Sequence, residues 1–406
     1  MHIGFITFEY PPDTATGGIA TYAEQAAIAL AAKGHQVDVF CAGPCTKTNI
    51  VDGVNVYRIS IDRNRFGHEV VSTFAERHRE MPFDVIEGPD YLAEGWDIHQ
   101  AFSKIPYVVK LHTPDFLIQQ INRRSPTFQE RIKRLKWTFF HLRTNRRPLR
   151  PWLNCELHKI ERQNMMEAAA IASPSLSIAK RLQPVWKLNE NRIRVFPYPF
   201  TGSDELLSLP ISASTDVVAF VGRLEIRKGV AELAKAIPIV CSKHLTARFK
   251  FIGNDSTSPV AGMSMSDYLR REAGVYADRL EFTGNVNRDQ LAQVLQGVDI
   301  CVFPSRWESF GFVVLEAIAA GKAVVCSDNA GMAELVEHGK YGVVCPPKSP
   351  RKLADAILSL LKNPERRQNL ARSARQDVLP KYLPDQVLKQ QLACYEFAIA
   401  KGNVGP

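Results

Sequence analysis

Residues 304–327, "PSRWESFGFVVLEAIAAGKAVVCS", read as a turn, a helix and a strand in succession. A helix that starts at Phe310 or Gly311 and stops at Gly321 would bury Val313, Val314, Leu315, Ile318 and Ala319 along one face. "KAVVCS" behind it and "DICVFP" ahead of it are short apolar runs of the kind found in buried strands. Two glutamates, Glu308 and Glu316, stand in this apolar context with seven residues between them. An unpaired carboxylate in apolar surroundings costs several kcal/mol. Each therefore faces solvent, pairs with a cation or accepts hydrogen bonds from something bound.

The same alternation extends in both directions. "DVVAFVG", "ARFKFIG", "RLEFTG" and "YGVVCP" are further strand candidates, with helical spacing in "RKGVAELAKAIPIVCSK", "RDQLAQVLQG" and "PRKLADAILSLLKN". Near the N-terminus "HIGFITF" and "HQVDVFCAG" flank "IATYAEQAAIALAAKG", a helix stopped by Gly34, and "FDVIEG" and "PYVVKLHT" follow. Short apolar strands alternating with amphipathic helices give parallel sheets covered on both faces. One core rarely grows past about 250–300 residues, so 406 residues divide into two such α/β domains. The expected division is 1–203, 215–380 and a final helix over 384–401 that crosses back to the first domain; "FTGSDELLSLPISAST" reads as the linker.

The composition, 45% hydrophobic and 23% charged, is that of a globular chain. No apolar run reaches the roughly 18 residues needed to span a bilayer, and no basic segment precedes a long apolar one at the start. The formal charge of +9 favours anionic partners. Residues 122–163 hold twelve Lys or Arg against three Glu, a surplus equal to that of the whole chain. Within them Phe128, Ile132, Leu135, Phe139 and Leu142 recur at intervals of four and three, one face of a helix. This insert has two readings. It lies on an anionic membrane with Trp137, Phe140 and Trp152 at the interface, or it is a soluble lid or docking arm whose apolar stripe is core. The eight cysteines form no Cys-x-x-Cys pair, so buried reduced thiols and a cytoplasmic location are expected rather than a disulfide framework or a zinc site.

In doubly wound sheets ligands bind where strands end in loops. At one such end "FVGRLEIRKG" supplies Arg223 and Lys228, cations suited to a diphosphate or else exposed surface charges. At another, Gly311 opens a helix whose free amides favour a phosphate. Glutamates beside a phosphate repel it, so Glu308 and Glu316 would bind its neighbours; sugar hydroxyls are natural donors to them. The alternative is a solvated Glu308 and a Glu316 paired with a lysine. Gly17 and Gly18 stand at a helix entrance, either to admit a ligand to the backbone or simply to end a loop. His112, at the end of "VVKLHTPD", either touches the sugar or acceptor or is satisfied by backbone. No two aspartates are separated by one residue, so the Asp-x-Asp pair that many metal-dependent sugar transferases use is missing. No metal or cofactor is expected, and fixed cations and helix amides must meet the leaving diphosphate.

Together Gly17-Gly18, His112, "GRLEIRKG", "FTGNV" and "PSRWESFGFVVLEAIAAGKAVV" make the chain similar to the retaining glycosyltransferases of family 4, in the glycogen synthase and phosphatidylinositol mannosyltransferase-like superfamily. The resemblance implies a GT-B fold, two Rossmann-like domains facing across a cleft that holds a UDP- or GDP-sugar. It implies Arg223 and Lys228 on the diphosphate, Glu308 on the transferred sugar and Glu316 on the ribose. His112 would lie beside the anomeric centre, and the base near Asn285 and Val286. Ser309, Phe310 and Gly311 lie inside the Glu-x7-Glu run, and backbone amides near Phe310 and Gly311, with the Gly17-Gly18 loop, would add donor contacts. The acceptor would be a glycan or lipid-linked sugar, and the insert would bring the enzyme to the inner face of a membrane if it binds one. "VFPYPF" departs from the family's Pro-Asn-Gly turn, which opens the question of what contacts replace it. Two other classes compete: a nucleotide-sugar epimerase on the same scaffold, and a non-catalytic nucleotide- or nucleic-acid-binding protein. The aromatic residues of the insert lack an RNA-binding signature, so no nucleic acid is expected.

Overall fold

The first 195 residues build one sheet and residues 217–345 a second. The computed structural model describes residues 1–14, 17–122, 155–211, 214–329 and 331–402. The first sheet contains β1 (His2–Ile6), β2 (Gln36–Ala42), β3 (Lys47–Val51), β4 (Val54–Ile59), β5 (Val85–Pro89), β6 (Tyr107–Lys110), β7 (Ala170–Ser173) and β8 (Ile193–Val195). The second contains β9 (Val217–Val221), β10 (Arg248–Ile252), β11 (Leu280–Gly284), β12 (Ile300–Phe303), β13 (Ala323–Ser327) and β14 (Val343–Cys345). Their orders are β3-β4-β2-β1-β5-β6-β7-β8 and β11-β10-β9-β12-β13-β14. Every pairing is parallel except the β3–β4 hairpin. Strands β1, β5, β6, β7, β12 and β13 are buried along their whole length, which is why they read as mostly apolar runs, Glu87 in β5 and Lys110 in β6 being buried charged exceptions.

The order reverses between β1 and β5 and again between β9 and β12. A crevice opens at each reversal, at the carboxyl ends of the strands. The two crevices face each other, so this two-domain, doubly wound architecture leaves a cavity between the sheets.

The final helix, Pro384–Gly402, packs against the helix Gly18–Ala32 and against β5, β6 and β7 of the first sheet. Val387, Leu388, Cys394, Tyr395 and Ala398 are its buried face. A buried carboxylate fastens it. Glu87 accepts from Tyr22 Oη at 2.7 Å and from Tyr395 Oη at 2.9 Å. Gln391 Nε2 donates to both tyrosine oxygens, at 3.0 and 2.7 Å. Burial raises the Glu87 carboxyl, opposed by Lys110 and the two hydroxyls.

The domains also meet directly. Ser175 Oγ donates to the Ser309 carbonyl at 2.6 Å. Glu334 of the second domain accepts from the amides of Leu176 and Ser177, at 2.9 and 2.7 Å, and so caps the first-domain helix Leu176–Trp186. Trp307 is buried in the first domain's core, with the Arg181 guanidinium 4.3 Å from its ring.

Three expectations need correction. The linker contains a helix, Asp204–Ser208, because Ser203 accepts from the Leu206 amide and caps it. Of the described thiols Cys45 is exposed; the others are buried. Val313 is half-buried on a cavity wall rather than in the core, because the helix begins at Phe312 and turns that residue outward. Residues 123–154, with most of the basic insert, its apolar stripe and Trp137, Phe140 and Trp152, lie outside the described residues. Among the described residues no helix is long and apolar enough to cross a membrane.

Candidate active site

A cavity of about 340 Å³ lies where the two crevices meet. From the first domain Gly17, Gly18 and Ile19 bring the start of the helix Gly18–Ala32, and Glu9, Arg63, Tyr91, His112 and Thr113 also line the cavity. From the second come Arg223, Arg227, Lys228 and the run Glu308–Val313. Gly17 is extended (φ −151°), and a Cβ there would make only an ordinary contact, 3.4 Å from the Glu9 carboxylate. A Cβ at Gly18 would come within 3.9 Å of the Phe312 ring across the cleft. Two helix N-termini, at Gly18 and Phe312, thus open onto the cavity with their free amides.

The cations come from the turn after β9. Lys228 Nζ donates to Glu308 Oε2, and Arg227 Nη1 lies 3.8 Å from the same oxygen. Arg227 also holds Glu225 at 2.9 Å, while Arg223, more than half exposed, lies 3.8 Å from that carboxylate and is free to swing toward a ligand. Burial works to raise the Glu308 carboxyl, but Lys228 and Arg227 outweigh it and keep it ionised below the usual range. For Lys228 burial dominates and draws the ammonium below the ordinary lysine range, against the pull of Glu308. Gly229 closes this turn at φ +73°. Its Cα faces the turn after β12, where a Cβ would meet the Pro304 carbonyl oxygen at 1.9 Å. Gly311 stands at φ +109° before the Phe312–Ala319 helix, and a Cβ there would strike Met332. Gly229 lets the turns after β9 and β12 pack together, and Gly311 lets the second of them pack on Met332.

The structure therefore brings His112, Arg223, Lys228, Glu308, Gly17, Gly18, Ser309, Phe310 and Gly311 into one cavity. It places Glu316, Asn285 and Val286 outside that lining. Glu316 is half-buried one turn along the helix; burial raises its carboxyl and Arg288, not a lysine, is the cation acting on it. Asn285 is exposed and Val286 half-buried at the end of β11, on the side of the cleft where Arg288 meets Glu24 at 3.4 Å. Residues missed in the sequence are Arg227, Arg63, Glu9, Tyr91 and Tyr198. Arg227 adjoins Lys228 and was findable from the turn alone. The others come from separate strand ends. Arg63 bridges Glu9 at 2.6 Å and sits over the rings of Phe8 and Tyr91, 4.5 and 5.4 Å from their centroids.

His112 is held firmly. Its amide donates to Asp90 Oδ1 at 2.8 Å and its Nδ1 lies 2.7 Å from Tyr198 Oη. Burial, then the Lys110 ammonium, keeps the imidazole neutral. Tyr198 supplies the contacts that "VFPYPF" left open: its ring lies 4.7 Å from Phe310, 5.4 Å from Phe312 and 4.6 Å from Tyr22.

Two carboxyls behind the cavity make stability depend on pH. Burial pushes Glu94 and Glu161 from 4.5 up to about 7. Glu94 accepts from the Phe8 amide at 2.7 Å and Glu161 from the Asp115 amide at 2.7 Å. Each keeps its proton longer in the folded chain than in the unfolded one, so folding stability falls as pH rises through this interval. We expect Glu94→Gln to flatten that fall by on the order of 1–3 kcal/mol. Denaturant unfolding at pH 5 and pH 8 reads it; equal slopes for wild type and variant would reject it.

A separate cavity of about 360 Å³ lies behind Phe310, between Ser175, Glu334 and Lys381. Its lysine is engaged by Glu337, and it lacks the converging cations of the cleft. Among the described residues no three His, Cys, Asp or Glu side chains are grouped to hold a metal ion.

Comparison with known proteins agrees with this geometry. Residues 17–199 match the glycosyl transferase 4-like domain and residues 208–377 the glycosyl transferases group 1. An uncharacterized glycosyltransferase of Methanocaldococcus jannaschii is 26% identical over 98% of this chain and 99% of its own. Glycogen synthase of Mycobacterium tuberculosis is 26% identical over 93% of this chain and 90% of its own. The structure of sucrose-phosphate synthase from Thermosynechococcus elongatus has a TM-score of 0.75 at 20% identity, covering 98% of this chain and 100% of that one.

Proposed function

The chain belongs to the GT-B glycosyltransferases related to family 4, enzymes that use nucleotide-diphosphate sugars, and from that premise we propose that it moves a hexose from a UDP- or GDP-linked donor to a hydroxyl of a glycan or lipid-linked saccharide, retaining the anomeric configuration and using no metal ion. The observation that carries this reading is the convergence of Arg223, Arg227, Lys228 and two helix N-termini on one cavity, with Glu308 beside them. The cations and amides receive the diphosphate, where negative charge grows as the bond to the anomeric carbon breaks. Glu308, still ionised, accepts from hydroxyls of the transferred sugar, and Glu316 from the ribose, with the base toward Asn285 and Val286. The acceptor enters along Glu9, Arg63 and Tyr91. Its oxygen bonds to the anomeric carbon on the face that the phosphate leaves, and its proton passes to the departing phosphate oxygen. No protein carboxylate needs to act as nucleophile.

The donor is tested first by thermal shift with UDP, GDP, ADP and a short oligonucleotide. Stabilisation by UDP or GDP supports the reading; stabilisation by the oligonucleotide alone rejects it. A panel of UDP- and GDP-sugars, with product mass spectrometry and anomeric proton NMR, then identifies the sugar. An inverted product, or a donor isomerised without any acceptor, would overturn the proposal.

We further propose a cytoplasmic enzyme that meets an anionic membrane surface through residues 122–163, on the ground of their charge. Flotation with neutral and anionic vesicles tests it: binding to the anionic set that falls with salt is expected, and equal, negligible binding to both rejects it.

A further inference from the structure

The wall of the cleft contains a three-member hydrogen-bond chain, all of it buried. Tyr198 Oη lies 2.6 Å from the Leu111 carbonyl oxygen and 2.7 Å from His112 Nδ1. A tyrosine hydroxyl carries one proton, and a carbonyl oxygen can only accept. If the proton pointed at His112, two oxygens would face each other at 2.6 Å in the interior with no hydrogen between them. The proton therefore belongs to the Leu111 contact. The remaining contact is satisfied only when His112 Nδ1 carries a hydrogen and donates it to the phenol oxygen. A neutral imidazole has one N–H, so Nε2 is then a bare acceptor. The imidazole is neutral because burial and the neighbouring Lys110 disfavour a second proton. Among the described residues no protein group hydrogen-bonds Nε2, and His112 lines the cavity.

We propose that Tyr198 is a positioning residue that locks His112 in the Nδ1–H tautomer, so that Nε2 accepts a hydrogen bond from a hydroxyl of the bound donor sugar. The second half rests on the cleft being the sugar-donor site. The lock is built across both domains. Tyr198 belongs to the crossover that follows β8, and its ring is wedged between Tyr22 of the first domain and Phe310 and Phe312 of the second. Neither domain alone would hold the phenol at this angle.

The test begins with the full-length wild type, free of ligand and labelled with ¹⁵N. Long-range ¹H–¹⁵N correlations of His112 are expected to place the proton on Nδ1. In Tyr198→Phe, which keeps the ring and its packing, a mixture of tautomers is expected. Its kcat should fall about tenfold while UDP or GDP affinity stays within twofold. His112→Ala should lose more, and the double variant should be no slower than His112→Ala alone, because Tyr198 acts through that ring. A proton on Nε2 in the free wild type overturns the lock. Losses that multiply in the double variant overturn the claim that Tyr198 works through His112. Wild-type turnover in His112→Ala overturns the use of Nε2 by the donor sugar, whereas failure of UDP and GDP to bind the wild type would overturn the sugar-site reading; the measured tautomer stands apart from both.

Discussion

Lys228→Ala is expected to lower kcat/KM for sugar transfer by about 1000-fold, the scale seen when one fixed donor to developing negative charge is removed. The fold should survive. Lys228 stands on the cavity wall, and Arg227 remains 3.8 Å from Glu308 to offset the carboxylate left behind. Without a donor molecule Lys228 is paired with Glu308. That pairing keeps the ammonium charged and in place, and an arriving diphosphate competes for it. Glu308→Gln would therefore separate two effects: nucleoside diphosphate affinity should hold or rise while transfer collapses. Lys228→Arg should recover only part of the loss, because a planar fork does not replace a compact point charge in a turn this tight. Steady-state kinetics beside a thermal melt decides the matter. A folded Lys228→Ala variant with wild-type turnover would show that the diphosphate is received elsewhere.

Gly229→Ala should be the more damaging change to the fold. At φ +73° any side chain is strained, and here the Cβ would also lie 1.9 Å from the Pro304 carbonyl oxygen, a backbone atom that cannot swing away. Gly297 provides the control. It too has φ +73°, but its Cβ would meet nothing within 4 Å. Gly297→Ala then costs only the left-handed strain, about 1–2 kcal/mol. Gly229→Ala should cost at least about 3 kcal/mol, because the contact forces the two ligand-facing turns apart. Its transfer activity should be lost even at temperatures where the variant stays folded. Equal melting temperatures for the two variants would mean that the turns tolerate separation.

Much of the second domain was legible because its physics is local. "DVVAFVG", "DICVFP" and "KAVVCS" are buried on both faces, so their apolar runs are continuous, and Gly311 and Gly321 punctuate the helix between them. The cationic turn was visible for the same reason. The β3–β4 hairpin went unread although it carries a signal: Asp52 and Gly53 both have positive φ, the turn that Asp-Gly favours between strands. Strands β7 and β8 are too short for a period to show. The least legible contacts are those made by distance. Tyr198 meets a histidine 86 residues earlier, and Arg63 meets Glu9 across 54, so neither spacing leaves a mark in the sequence. Glu316 shows the converse: its place in the run was plain, yet the partner that acts on it, Arg288, comes from another turn.

The helix Pro384–Gly402 is translated some two hundred residues after the first domain's strands, yet it is those strands and the helix Gly18–Ala32 that it covers. At about 5–20 residues per second, the nascent first domain waits roughly ten seconds or more after its own strands emerge before Tyr395 and Gln391 arrive to close over Glu87. During translation that face is uncovered, with a carboxylate and a lysine beneath it and no lid. An N-terminal fragment produced without this helix would remain in this state, which makes it a client for chaperones rather than a half-enzyme, and a stop codon ahead of Pro384 would be felt first in the domain built from the early strands.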